Sequence, residues 1–94
     1  MSQFLADPRW GVDWVRVIAN LQASGLSLQG IADAATVSKS QVIAYGSEEM
    51  RQQPGHSTGE RLIAVWCEAL GYKREALPMY RRGMSVSEIL KASR

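Results

Sequence analysis

Apolar positions recur at helical spacing along most of this chain. Trp14, Val17, Ile18 and Leu21 fall at i, i+3, i+4 and i+7, the pattern that lines one buried helix face. Gly25 ends that segment. Its start is open between two points: Pro8 can open a helix behind Asp7 as cap, or Asp13 caps a later start. With the early start, Trp10 and Trp14 lie one above the other, a pair read as packing rather than ligand stacking. A second segment follows Ser27, a good N-cap residue, with Leu28, Ile31, Ala32 and Ala35 on its apolar face. Ser38-Lys39-Ser40-Gln41 then has the capping-box form, Val42 and Tyr45 follow at helical spacing, and Gly46 is a natural stop.

Beyond a polar connector from Ser47 to His56, Ser57-Thr58-Gly59-Glu60 repeats the capping-box form. It opens the most apolar helix, Thr58 to Leu70, with Leu62, Val65, Trp66 and Ala69 on one face and Ile63 and Leu70 beside it. Gly71 is its stop. Such a helix is expected to be the central support for the others. Pro78 breaks whatever Lys73 to Leu77 begins, and Ser85-Val86-Ser87-Glu88 starts a last short helix through Ile89, Leu90 and Ala92. The pattern predicts an all-α fold, one domain over 1–94, built as a compact bundle of about five helices. Leu77, Met79, Met84, Val86, Ile89 and Leu90 make the tail 72–94 a candidate dimerisation segment.

Composition narrows the function classes. With 46% hydrophobic and 21% charged residues the chain is an ordinary globular protein, not a disordered one. No apolar run reaches the roughly 20 residues of a membrane helix, and the first residues lack the basic start of a signal peptide. The single cysteine, Cys67, allows no internal disulfide. It fits a reducing cytoplasm and reads as a small buried hydrophobe. One His, one Cys, no Gly-rich phosphate loop and no metal-spaced ligand pair leave an enzyme nothing to work with. No catalytic residue, metal, cofactor or small-molecule ligand is expected. A net charge of +2 neither requires nor excludes nucleic acid, because phosphate binding needs local charge.

The residues Leu28-x-x-Ile31-Ala32-x-x-Ala35-Thr36-Val37-Ser38-x-Ser40-x-Val42, within the stretch 27–47, resemble the helix-turn-helix of the phage repressor and Cro (Xre-like) superfamily. In that family a small residue, here Ala32, sits where the two helices touch, and Val37 and Val42 match buried positions. One departure stands out. Thr36 occupies the turn position where the family usually has Gly, favoured there because the backbone goes to positive φ. The resemblance implies a lambda-repressor-like fold and binding of double-stranded DNA. It further implies a homodimer on a palindromic operator that regulates transcription by blocking or recruiting RNA polymerase in the nucleoid of a host cell. Two other roles stay open: a DNA-packaging or replication subunit, and a protein-interaction module that has lost DNA.

On this reading the second helix of the motif enters the major groove. Lys39, Ser40 and Ala44 align with family positions that touch base edges, Lys39 suited to guanine acceptors and Ala44 to a thymine methyl. Ile43 is expected on the outer face too, also suited to a thymine methyl, and Gln41 either closes the capping box or pairs with adenine. Gln29 and Ser38 are the expected phosphate anchors, with Arg51, Gln52 and Gln53 behind them. Glu48 and Glu49 are expected to point away. His56 is a solvent-exposed or capping residue, or a phosphate contact at a helix N-terminus.

Overall fold

The computed structural model describes residues 10–81. In order these form strand β1 (Trp10–Val12), helices α1 (Trp14–Ala23), α2 (Leu28–Ala35), α3 (Lys39–Tyr45) and α4 (His56–Leu70), a 3-10 turn (Arg74–Ala76), and strand β2 (Met79–Arg81). The described part is thus mostly helical but not all-α. β1 and β2 pair antiparallel, Trp10 with Arg81, Gly11 with Tyr80 and Val12 with Met79. The Asp13 N–H donates to the Pro78 carbonyl at 2.8 Å and extends the ribbon by one bond. The expected last helix, Ser85 to Ala92, lies outside the described residues.

Local chemistry sets the helix limits. α1 starts at the later of the two expected points: Asp13 is its N-cap and its carboxylate accepts from the Arg16 N–H. Trp10 therefore sits in a strand, not below Trp14 on the helix. Ser27 caps α2 by accepting from the Gly30 N–H. The capping box of α3 is closed from both sides: Ser38 Oγ accepts from the Gln41 N–H, and Gln41 Oε1 accepts from the Ser38 N–H at 3.0 Å.

The box expected at Ser57–Glu60 does not form. α4 begins earlier, at His56, with Gly55 as N-cap and no side-chain cap bond. Glu60 is instead held by Arg74, whose guanidinium donates to both carboxylate oxygens at 2.7 and 2.8 Å. A carboxylate occupied in this way cannot turn back to cap its own helix.

The core joins Val17, Ile18 and Leu21 of α1, Ile31, Ala32 and Ala35 of α2, Val42 and Tyr45 of α3, and Leu62, Ile63 and Trp66 of α4. α2 packs against both α3 and α4, and α1 packs against α3 and α4. α4 thus underlies α1 and α2, as its composition predicted. Ala69, expected on its apolar face, is exposed, and Cys67 is only half-buried. Trp66 stacks obliquely on Tyr72, with ring centroids 5.7 Å apart. Leu77 completes the core and Met79 packs against it. Neither is free to form a dimer face; Met84, Val86, Ile89 and Leu90 lie outside the described residues.

Candidate nucleic-acid interface

α2 and α3 are joined by only Thr36, Val37 and Ser38. Thr36 takes the left-handed conformation, φ 60° and ψ 47°, despite its β-branched side chain. The Val37 N–H reaches back to the Ala32 carbonyl at 3.0 Å and the Thr36 N–H to the Asp33 carbonyl at 3.3 Å. These two bonds reverse the chain tightly at the end of α2. Ala32, with 0% exposure, lies in the core as a small residue should where two helices touch.

One side of α3 is buried and the other is free. Val42, Ala44 and Tyr45 are buried; Lys39, Ser40, Gln41 and Ile43 are exposed. Ala44, expected to meet a base, is 5% exposed. The helix docks with this methyl turned inward, so Ala44 is a packing residue and leaves the candidate contact set. Gln41 is exposed, but its carbonyl oxygen is engaged by both the Ser38 N–H and the Ser38 hydroxyl. Only its amide nitrogen is left over from the cap. Ser38 and Ser40 are linked hydroxyl to hydroxyl at 3.1 Å. The free face of α3 thus carries a cation at Lys39, hydroxyls at Ser38 and Ser40, and one large apolar group, Ile43, 47% exposed.

The remaining candidates surround this face with unequal freedom. Gln29, exposed near the start of α2, donates to Asp33 at 2.9 Å. Arg51 and Gln52 are exposed in the connector after α3. Arg51 also has positive φ, 43°, and its N–H closes a turn onto the Ser47 carbonyl at 2.8 Å. The Gln53 amide donates to the Tyr80 hydroxyl at 3.0 Å and ties the connector to the β-ribbon. Glu48 and Glu49 are both exposed. His56, exposed, is the first residue of α4 beyond Gly55, next to helix donors that have no side-chain cap.

The charge balance is local as well. Residues 10–81 hold seven Lys and Arg against seven Asp and Glu, while 1–9 and 82–94 hold four against two, which accounts for the +2. A groove of about 390 Å³ runs between Val12, Trp14, Pro54, His56 and the Glu60–Arg74 pair. The charges on its wall neutralise one another, so it offers no convergent polar set for a ligand.

No family model, curated protein or solved structure matches this chain.

Proposed function

We propose that α2, the Thr36–Ser38 turn and α3 form a helix-turn-helix of the phage repressor and Cro type, through which the protein binds double-stranded DNA sequence-specifically. The observation that carries this reading is the two-sidedness of α3. Its buried side is Val42, Ala44 and Tyr45, and its opposite, free side offers Lys39, Ser40 and Ile43 next to a capped N-terminus. A recognition helix meets base edges with residues near its N-terminus, which is where Lys39 and Ser40 lie. Lys39 donates to guanine acceptors in the major groove and Ser40 to any base. Ser38, Gln29, Arg51, Gln52, Gln53 and His56 supply phosphate contacts that set register.

The mechanism is occupancy. A homodimer places two copies of α3 in successive major grooves of a palindromic site, about 34–36 Å apart, and so blocks or recruits RNA polymerase in the host nucleoid. The protein acts as a small phage or prophage transcriptional regulator, with no catalytic step.

Selecting DNA fragments from the source genome with the wild-type protein and with a Lys39→Glu/Ser40→Ala double variant tests this. Recovery of a short palindrome by the wild type alone is the expected result. Recovery of bulk DNA by both proteins would point to packaging or replication. Failure to recover DNA at all would leave a protein-interaction module, a reading favoured by the charge neutrality of residues 10–81. Such binding would lack the steep salt dependence of phosphate contacts.

A further inference from the structure

The floor of the major groove has one apolar feature, the C5-methyl of thymine. The free face of α3 also has one apolar side chain, Ile43, and the smaller Ala44 beside it is sealed in the core. Lys39 and Ile43 are four residues apart and so share one helix face, a turn apart. Their separation along the axis is about 6 Å, from the rise per helical residue. That is between one and two base steps of about 3.4 Å.

Resting on the DNA reading above, we propose that Ile43 is a specificity-determining residue of this protein, reading a thymine methyl one or two base pairs from the base met by Lys39. An isoleucine half-exposed among Lys39, Ser40 and Gln41 gains from contact only where its neighbours' partners are polar and its own is not. A base pair that places a methyl beside hydrogen-bond acceptors satisfies both demands. Met50 and Tyr72, the other large exposed apolar side chains, lie off α3. They have no such polar setting on a helix end.

The test uses the duplex recovered by selection from a random-sequence pool, with each thymine replaced singly by uracil. This replacement deletes the methyl and keeps every hydrogen-bonding group. Dissociation constants are measured by fluorescence anisotropy for the wild type and for Ile43→Ala. The expected result is one thymine per half-site whose replacement weakens the wild type about fourfold, the scale of one buried methyl-sized group, and leaves Ile43→Ala unaffected. The base pair at which Lys39→Ala loses selectivity should lie one or two steps away. Equal uracil sensitivity in both proteins, or none in the wild type, overturns the proposal while leaving the DNA reading intact. Absence of any selected duplex overturns both. Ile43 is outside the core cluster, so circular dichroism of Ile43→Ala should match the wild type and tie any loss to contact rather than folding.

Discussion

Gly25 and Thr36 end α1 and α2 with the same backbone arrangement but opposite steric suitability. Leu26 N–H reaches the Leu21 carbonyl at 3.2 Å, and Val37 N–H reaches the Ala32 carbonyl at 3.0 Å, so both helices close by a bond spanning five residues. The residue before each of these donors has positive φ, 108° at Gly25 and 60° at Thr36. Glycine adopts this conformation freely, whereas a residue with a Cβ is strained there by about 1–2 kcal/mol.

Thr36→Gly should therefore stabilise the protein. Relief of strain is partly offset by the greater freedom of glycine in the unfolded chain, about 0.5–1 kcal/mol. The net gain should be about 0.5–1 kcal/mol, or a rise in Tm of a few degrees. Gly25→Ala should lose stability although its Cβ would find nothing within 4 Å. Thermal unfolding followed by circular dichroism measures both, and a fall in Tm for Thr36→Gly would mean that the threonine side chain stabilises the turn.

Ser38 and Gln41 form one unit, each accepting from the other's backbone N–H. Ser38→Ala should cost about 1 kcal/mol. Ser38→Ala/Gln41→Ala should cost less than the sum of the two single changes, because either one already opens the box. Urea unfolding of the four proteins gives the coupling energy; strict additivity would contradict a closed box in solution.

Gly46 has an ordinary φ of −85°, so the backbone does not require glycine there. Space does. A Cβ at this position would stand 3.0 Å from Ile18 Cγ2 and 3.3 Å from Ile18 Cβ. Gly46→Ala should destabilise by about 1–3 kcal/mol through overpacking. Adding Ile18→Leu, which removes the Cγ2 branch, should restore part of that loss. A double variant no better than Gly46→Ala alone would place the strain elsewhere.

The Glu60–Arg74 pair gives a pH dependence of known sign. The bidentate hydrogen bond from Arg74 is the main cause holding the Glu60 carboxyl below its usual range. Partial burial opposes that effect, and the charges of Arg74 and His56 assist it. A carboxyl with a lower pKa in the folded state binds fewer protons there. Its contribution is complete above the unfolded pKa and is lost as pH falls through the folded one. The side chains remain about 40% exposed (38% and 42%), so Glu60→Gln should cost at most about 1 kcal/mol at pH 7. The difference between variant and wild type should shrink toward zero near about pH 3. Denaturant unfolding at the two pH values checks this; an undiminished difference at low pH would assign the loss to packing.

Much of the helical framework was legible because its signals are local. Ser27 and Ser38 cap the helices that they were read to cap, Gly25, Gly46 and Gly71 stand at the ends read from them, and Val17, Ile18, Leu21, Ile31, Leu62 and Trp66 are core. Capping and periodicity act within one or two turns, which a sequence displays directly. Asp13 as the start of α1 was one of two open choices. It is settled by the pairing of β1 with β2, whose partners Trp10 and Arg81 lie at opposite ends of the described chain.

The candidate interface divides the same way. That α3 has a capped start and exposed Lys39 and Ser40 follows from residue type and spacing. Which of Ile43 and Ala44 faces outward depends on the angle at which α3 lies against α1 and α2, and neighbouring positions on a helix differ by only about 100°. Glu60 likewise matches a capping box by sequence. It binds Arg74 because the 3-10 turn brings that guanidinium within 2.7 Å. Sequence alone determined where this protein's helices begin, end and bury their apolar faces, since those outcomes rest on short-range hydrogen bonds and hydrophobic periodicity. Tertiary structure decided the β-ribbon, the partner of Glu60 and the outward turn of Ile43, because each depends on a contact between segments that no local pattern specifies.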